Sequence, residues 1–143
     1  MAGGSVADRL AISDLFVRYT TALDAGEVET VVDCFTADAS LESPVIGVIA
    51  GHTAIRGFAA RFAAQRAAGA QFRHMITNIA AEIEPAGDRA RATAYLLVLI
   101  TRDGKSRRLP PGRYECEVVK EGDAWRFQRR VVVHDHDYTL EGI

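Results

Sequence analysis

Residues 92–100, ATAYLLVLI, decide the fold of this chain. Apart from one threonine, the side chains are apolar at even and odd positions alike, so both faces of the segment need to be shielded from water. A short apolar run of this kind, bounded by turn residues, favours a strand over a helix. We therefore predict a strand that is covered on both faces.

Further β-rich runs flank this strand and are separated by short polar breaks. The breaks are Pro85-Ala86-Gly87-Asp88, Asp103-Gly104-Lys105 and Glu121-Gly122-Asp123. This spacing predicts four long strands in a meander, approximately over residues 71–84, 89–102, 109–120 and 124–137.

The N-terminal part of the chain is helical by pattern. Between Val6 and Leu23, apolar residues recur at steps of three and four, which places them on one stripe of a helix, and Gly26 ends it. A second, short helix is predicted over residues 27–35.

An extended stretch at 40–49 follows, interrupted by Pro44 and Gly47. A third helix is predicted over about 53–68, and Gly69 stands where a C-terminal cap glycine would. Helices followed by antiparallel strands indicate an α+β fold. We expect three N-terminal helices packed on one curved, mostly antiparallel sheet.

The composition is that of an ordinary globular protein with a single domain, residues 1–143. The 17 Lys and Arg residues against 19 Asp and Glu residues give a formal net charge of −2, which offers no basic surface for nucleic acid. The longest apolar run, 94–100, is far too short for a membrane helix, and the first residues do not resemble a secretory signal. We expect a cytoplasmic protein without nucleic acid or membrane as a partner.

The two apolar faces of the 92–100 strand also bear on assembly. Three helices can cover one face of a four-stranded sheet, but hardly both. Because most soluble oligomers are homo-oligomers, the second face is expected to pack against another copy of the chain. We predict a homo-oligomer, most often a dimer, with a trimer as the alternative.

Four polar residues interrupt otherwise apolar surfaces and are candidates for chemistry: Tyr19 and Asp24 near the end of the first helix, and His74 and Arg130 on the first and last long strands. A neutral imidazole is an effective general base at neutral pH. An arginine among apolar neighbours can hold an oxyanion through its fixed fork of donors. The dipole of the first helix disfavours a carboxylate at the position of Asp24, which suggests a use elsewhere.

Each candidate also has a purely structural interpretation. Tyr19 can be a core tyrosine with a satisfied hydroxyl. Asp24 and Glu27 fit a capping box for the second helix. A lone strand histidine such as His74 is more often structural, and Arg130 can be paired with a carboxylate of a neighbouring strand.

Strict alternation assigns the faces of the first and last strands. On the first, His74 shares its face with Phe72, Ile76 and Asn78, and the opposite face carries Met75, Ile79, Ala81 and Ile83. On the last, Arg130 shares its face with Gln128, Val132 and His134, and the opposite face carries Trp125, Phe127, Val131 and Val133. The mixed face around Arg130 is typical of a pocket wall.

The segment His134-Asp135-His136-Asp137 contains a His-x-His pair that can chelate zinc, but a third ligand such as His74 would be required. Without cysteine pairs or a helical HExxH motif, we expect no metal, and we interpret His134 as a pocket residue. The chain contains no P-loop, no GxGxxG and no GxSxG motif. Acyl transfer is therefore disfavoured.

Several short segments, taken in order, cover nearly the whole chain. They are Asp14-Leu15-Phe16-Val17-Arg18-Tyr19, Leu23-Asp24-Ala25-Gly26, Cys34-Phe35-Thr36-Ala37-Asp38-Ala39, Gly51-His52-Thr53-Ala54-Ile55, Arg73-His74, Thr77-Asn78, Gly112-Arg113-Tyr114, Trp125-Arg126-Phe127 and Arg129-Arg130. Together they resemble the SnoaL-like branch of the nuclear transport factor two-like superfamily. The resemblance implies a cone-shaped α+β barrel whose sheet and helices enclose one deep pocket.

Within that superfamily the chain is most similar to cofactor-free lyases, namely scytalone dehydratase, bile-acid dehydratases and hexachlorocyclohexane dehydrochlorinase. The resemblance implies that Asp24 orients His74, which takes a proton from carbon, and that Arg130 assists the departing group. Tyr19 matches a substrate-contacting position that is a tyrosine in the dehydratases. Many SnoaL-like chains carry an acidic residue where this chain has Cys116, so we assign that strand no catalytic role.

We therefore predict a cofactor-independent lyase or isomerase that performs a dehydratase-like elimination on a small, mostly apolar ring molecule. Its catalytic residues would be His74, Asp24, Tyr19 and Arg130. Two alternatives stay open: a noncatalytic module of the same fold that binds a small molecule or a protein, and a polyketide cyclase or epoxide hydrolase-type biosynthetic enzyme. The residues expected to bind the substrate are Asn78, His134, Phe35, Phe58, Phe62, Phe72 and Leu97.

Overall fold

Three helices and seven strands make up the computed structural model, which describes residues 4–139. In chain order the elements are α1 (Val6–Ala25), α2 (Val28–Asp33), β1 (Phe35–Ser43), β2 (Gly47–Ala50), α3 (His52–Ala67), β3 (Gln71–Ile83), β4 (Arg89–Arg102), β5 (Lys105–Arg108), β6 (Gly112–Glu121) and β7 (Ala124–His134). None of these helices has the length and apolar character needed to cross a membrane.

The strands of the described region form one sheet in the order β2-β1-β7-β6-β4-β3, with β5 paired to the end of β4. All strand pairs are antiparallel except β1 and β7, which run parallel. The helices pack against this sheet, and the hydrophobic core lies between the two layers. The expected α+β architecture, with helices on a mostly antiparallel sheet, is confirmed.

Some strand bounds differ from the prediction. The extended stretch at 40–49 is a hairpin of β1 and β2, and β1 begins earlier, at Phe35. The short strand β5 is absent from the prediction. β6 begins only at Gly112 because the two prolines before it have no N–H to donate to a ladder.

A β-bulge in β3 changes which side chains face the core. Asn78 and Ile79 together oppose a single residue of β4, and Asn78 has a left-handed φ of 55°. The extra residue shifts the alternation by one position, which places Ile79, Ala81 and Ile83 on the same face as His74. The prediction that they point away from His74 is wrong, because strict alternation does not anticipate a bulge.

A second bulge, at Gln128 of β7, has the same effect on the last strand. Phe127 and Arg130 stand on either side of it, and both side chains are buried on the core face. The prediction that Trp125 and Phe127 face away from Arg130 is therefore wrong for the same reason.

Five aromatic rings form the centre of the core. Phe16 and Tyr19 of α1 meet Phe127 of β7 edge-on, with ring centroids 5.2 and 5.6 Å apart. Phe35 of β1 lies 5.4 Å from Phe127, and Tyr114 of β6 lies 6.1 Å from Phe16. Such aromatic pairs each contribute about 0.5–1.5 kcal/mol beyond the burial of their area. The cluster therefore fixes the orientation of α1 relative to β7.

Gly112→Ala is expected to lower the free energy of unfolding by about 1–3 kcal/mol, the usual cost of overpacking. A Cβ at Gly112 would lie 2.5 Å from the carbonyl oxygen of Val133 and 3.2 Å from Nδ1 of His134. Urea denaturation measures the change. Gly57→Ala is the matched control, because a Cβ on this residue of α3 would meet open space, and alanine there should stabilise the helix by up to about 1 kcal/mol. Equal stability of the two variants would contradict this account.

Candidate active site

The last turn of α1 brings Asp24 against β3. The helix ends at Gly26, as predicted, and the left-handed φ of 76° at this position is one that glycine adopts without steric cost. Oδ2 of Asp24 accepts a hydrogen bond from the backbone N–H of His74 at 2.8 Å, and Oδ1 lies 2.5 Å from Nδ1 of the same residue. The two contacts hold the carboxylate and the imidazole in one orientation.

The structural interpretation of Asp24 as a helix cap is wrong. Glu27 precedes the first turn of α2, and no side chain caps that turn. Both carboxylate oxygens of Asp24 are bound to His74 instead. The dipole of α1 disfavours a carboxylate at its C-terminal end, and the two donors of His74 offset this effect.

The contact with Asp24 determines which nitrogen of His74 is free. The side chains of His74 and Asp24 are only 6% and 12% exposed. Because an ionised carboxylate can only accept, Nδ1 carries the proton in this pair. Nε2 is left with its lone pair on a ring that lines the central cavity. A general base whose tautomer is held by a carboxylate has this arrangement.

Tyr19 is fully buried in the same cavity wall, and its hydroxyl has no hydrogen-bond partner among residues 4–139. Burial raises the pKa of Tyr19 to about 12, although the nearby charge of Arg130 acts in the opposite direction. The hydroxyl therefore keeps its proton at neutral pH. The structural interpretation of Tyr19 requires a core tyrosine whose hydroxyl has a hydrogen-bond partner. The ring does belong to the core, but the hydroxyl has no such partner among the described residues.

Arg130 is buried, with a relative exposure of 3%. Within the described part of the chain, no carboxylate lies within ion-pair distance of its guanidinium, and its Nε has no acceptor. The central carbon of the guanidinium lies 4.8 Å from the ring centroid of Tyr114, 5.1 Å from that of Tyr19 and 5.9 Å from that of Phe58. The structural interpretation, pairing with a carboxylate of a neighbouring strand, is wrong.

These groups surround a mostly apolar cavity of about 260 Å³ between the helices and the sheet. It lies where the bulged strands β3 and β7 turn their side chains toward α1 and α3. The predicted residues that the structure brings together in its lining are Tyr19, His74, Arg130, Phe58, Phe62, Phe72 and His134. Asp24 reaches the cavity only through His74.

Three residues predicted to bind substrate lie elsewhere. Asn78 is exposed at the bulge of β3. Leu97 is on the outer face of β4, because its neighbours Leu96 and Val98 face the cavity. Phe35 is buried in the aromatic cluster rather than along the cavity wall. The structure therefore places these three residues outside the cavity: Asn78 is the extra residue of the bulge, Leu97 pairs with Met75 on the outer face, and Phe35 packs against Tyr19 of α1.

The cavity lining also includes residues that the prediction lacks. Tyr114 packs its ring on Arg130 although its strand is assigned no role in the sequence-based prediction, and burial raises the pKa of this tyrosine. Val98 pairs directly with His74 across β3 and β4, so the register of this hairpin could have identified it. Tyr138 follows β7 and carries no periodic signal that would reveal its place at the cavity.

The histidines of the 134–137 segment make separate contacts. Nδ1 of His134 lies 3.1 Å from the carbonyl oxygen of Pro110, and its Nε2 lies 3.4 Å from the hydroxyl of Tyr138. Nδ1 of His136 lies 3.0 Å from the carbonyl oxygen of Asp137. In the region from 4 to 139, no three His, Cys, Asp or Glu residues are grouped so as to hold a metal ion. His134 lines the cavity instead.

Comparison with known proteins assigns the chain to a family. The model of the SnoaL-like domain matches residues 4–131, which is most of the chain. The chain belongs to the SnoaL-like domain family. Among functionally curated proteins, none matches this SnoaL-like domain significantly.

Solved structures of two other proteins are similar to this chain over most of its length. A candidate aromatic ring hydroxylase from Novosphingobium aromaticivorans is 30% identical, with a TM-score of 0.78, over 93% of this chain and 92% of that chain. A Catenulispora acidiphila protein in complex with S-DNPA is 27% identical, with a TM-score of 0.79, over 92% of this chain and 96% of that chain.

A third structure supports the fold alone. It is a nuclear transport factor two-like protein with a cystatin-like fold from Novosphingobium aromaticivorans, 21% identical with a TM-score of 0.79, over 96% of this chain and 85% of that chain. The expected cone-shaped α+β architecture is confirmed.

Proposed function

We propose that this SnoaL-like domain is a cofactor-independent lyase or isomerase that removes a proton from a carbon atom of a small, mostly apolar ring molecule. The observation that carries this proposal is the Asp24–His74 pair, with Oδ1 and Nδ1 2.5 Å apart and Nε2 left for the cavity. The family and the apolar cavity fit small-molecule catalysis or binding. A relative solved in complex with S-DNPA supports a small molecule as the ligand.

In the proposed reaction, Nε2 of His74 takes the proton from carbon. The electron pair of the broken C–H bond moves toward an adjacent carbonyl, or forms a double bond as a leaving group departs with its own electron pair. Asp24 stabilises the imidazolium that results. Positioned acid–base groups of this kind contribute about 10²–10⁴ in rate.

Tyr19 and Arg130 serve the oxygen or leaving group that gains negative charge. The hydroxyl of Tyr19 stays protonated and can donate. Arg130 supplies a positive charge where water screens it little. Neither the hydroxyl nor Nε of Arg130 has a partner among the described residues, so both can bind the developing anion without first breaking a hydrogen bond.

Proton exchange in heavy water tests the proposal before a substrate is known. Cyclic ketones and β-hydroxy ketones are incubated with the protein in D₂O, and the α-proton signals are followed by ¹H NMR. We expect at least one compound to exchange or eliminate faster with the protein than in buffer. Binding of the compounds without any exchange would instead support the noncatalytic module, and a cyclised product would support the polyketide cyclase alternative.

We also propose that the outer face of the sheet joins two copies of the chain. Met75 of β3 and Tyr95 of β4 are 50% and 57% exposed on this face, next to Leu97 and Leu99. A second copy that presents the same patch would cover it through two-fold symmetry. The inner face of the same strands is already covered by the helices.

Tyr95→Glu is expected to convert a wild-type dimer into monomers, because an unpaired charge in an apolar interface is strongly unfavourable. Sedimentation velocity at micromolar concentration measures the change. Val48→Glu is the control, since Val48 is also a large exposed apolar residue but lies on β2, at the opposite edge of the sheet. A monomeric wild-type protein, or equal dissociation by both variants, would exclude this face as the interface.

A further inference from the structure

The cavity holds positive charge, and the described residues that line it bring no negative charge. Among its lining residues from the described region, two are arginines, Arg61 and Arg130, and none is Asp or Glu. The carboxylate of Asp24 does not line the cavity, and its two oxygens are bound to the backbone N–H and the ring of His74. Residues 4–139 therefore provide no counter-charge for the guanidinium of Arg130, which is only 3% exposed.

Aromatic packing leaves the donors of Arg130 available. The rings of Tyr114, Tyr19 and Phe58 lie 4.8–5.9 Å from its central carbon. Such contacts with ring faces offset part of the charge. They do not replace hydrogen bonds to the N–H groups, and Nε has no acceptor in the described region. A buried cation that lacks hydrogen-bond partners is strongly unfavourable, so an anionic ligand would supply the acceptors and the negative charge that residues 4–139 do not provide.

We propose that the ligand of this cavity is a ring carboxylic acid whose carboxylate binds the guanidinium of Arg130. The inference rests on the proposed function for its site and deepens it by naming the substrate class. The carboxylate binds two of the five N–H groups of the guanidinium, and the hydroxyl of Tyr19 and the remaining N–H groups serve the atom that gains negative charge. A guanidinium and a carboxylate form two parallel N–H···O bonds, the geometry for which arginine is best suited.

The remaining lining suits the ring of such an acid. Phe62 lies with its ring centroid 5.0 Å from that of Phe72 and 5.7 Å from that of His74. Aromatic side chains thus extend from Arg130, through Phe58 and Phe62, to the proposed base. When the carboxylate of such an acid binds Arg130, the carbon atoms of its ring would lie in the part of the cavity that His74 and Tyr19 line.

Matched acids and amides test the inference without turnover. Isothermal titration calorimetry compares benzoate with benzamide and 2-naphthoate with 2-naphthamide at neutral pH. For the wild-type protein we expect the acid of at least one pair to bind roughly ten- to a hundredfold more tightly than its amide, the effect of hydrogen bonds to a charged group. Arg130→Gln should abolish this preference.

Arg129→Gln is the matched control, because Arg129 is the neighbouring residue of β7, carries the same charge and is half-exposed on the outer face. This variant should keep the preference for acids. If Arg130→Gln does not fold, Arg130→Lys replaces it, and we expect a preference reduced at least severalfold, because an ammonium group cannot form the parallel pair. Equal affinity of the wild-type protein for acid and amide in both pairs, no binding of either acid, or a preference unchanged by the Arg130 variant would overturn the inference.

The same titrations in His74→Ala separate this inference from the proposed function. Because His74 does not contact the anion in the proposed complex, this variant should retain the preference for acids. If the wild-type protein binds acids through Arg130 but exchanges no carbon-bound proton, the proposed function is refuted and the carboxylate site is supported.

Discussion

His74→Ala is expected to lower the rate of proton exchange or elimination by about 10²–10⁴-fold while the protein stays folded. Alanine removes the only imidazole in the described cavity lining whose Nε2 is free, because both nitrogens of His134 contact neighbouring groups. The ¹H NMR assay in D₂O measures the rate, and thermal unfolding measures the integrity of the fold. A rate within a factor of a few of the wild-type rate would exclude His74 as the base.

Asp24→Asn examines the other half of the pair and is expected to reduce the same rate by a similar factor. An asparagine amide can donate a hydrogen bond to Nδ1 of His74, so the imidazole proton then lies on Nε2. A protonated Nε2 has no lone pair with which to take a proton from the substrate. The ¹⁵N shifts of the imidazole distinguish the two tautomers. If Asp24 had only a structural role, Asp24→Asn would lower the stability of the fold without changing the tautomer of His74. The variant would then keep the wild-type activity per folded molecule.

Phe127→Ala is expected to lower the free energy of unfolding by about 3–5 kcal/mol, the cost of removing a large ring from a close-packed core. Phe127 is fully buried, and its ring contacts Phe16, Tyr19 and Phe35 at centroid distances of 5.2–5.6 Å. Urea denaturation of wild type and variant measures the difference. The ring also supports Tyr19, so any compound that the wild-type protein turns over should react more slowly with the variant.

Phe127→Leu is the control for this substitution. Leucine keeps most of the apolar contact and leaves a smaller cavity, so its cost should be clearly less than that of alanine. If alanine cost less than about 1 kcal/mol, the aromatic cluster could not be what orients α1 on β7. The two variants therefore show whether stability depends on the packing of this cluster or whether the core tolerates smaller side chains at Phe127.

The local sequence pattern predicted most of the elements, because each depends on nearby residues. The stripe of apolar residues in α1 and its end at Gly26 follow from helical spacing and from the left-handed conformation that glycine adopts there. The four long strands follow from polar turns between β-rich runs. The start of β1, the hairpin of β1 and β2, the short strand β5 and the exact ends of β6 and β7 escaped this pattern.

The faces of β3 and β7 were less predictable, and the errors on these two strands have one origin. The bulges at Asn78 and Gln128 each insert one residue and reverse the alternation beyond it. Asparagine is enriched among residues with left-handed φ, so Asn78 carried a weak signal of the first bulge. No comparable signal marks Gln128, whose position depends on the pairing between β6 and β7.

The pairing of polar groups depended on the tertiary structure most of all. From the residues alone, Asp24 suited a helix cap and Arg130 suited an ion pair. Only the family resemblance implied that Asp24 orients His74 and that Arg130 assists the departing group. Asp24 and His74 are 50 positions apart in the chain, and no local rule relates residues at that distance. Their contact exists because α1 packs against both β3 and β7, and the aromatic cluster holds it on the β7 side.

By itself, the amino-acid sequence determined the α+β class, the helix ends and the residue types that could carry chemistry, since these follow from short-range spacing and side-chain character. Only the tertiary structure decided that Asp24 binds His74, that Arg130 has no counter-ion among the described residues, and that Leu97 faces outward while Val98 lines the cavity. The physical reason is that burial and partnership are properties of the packed layers, and a single inserted residue in a strand changes them for every side chain that follows.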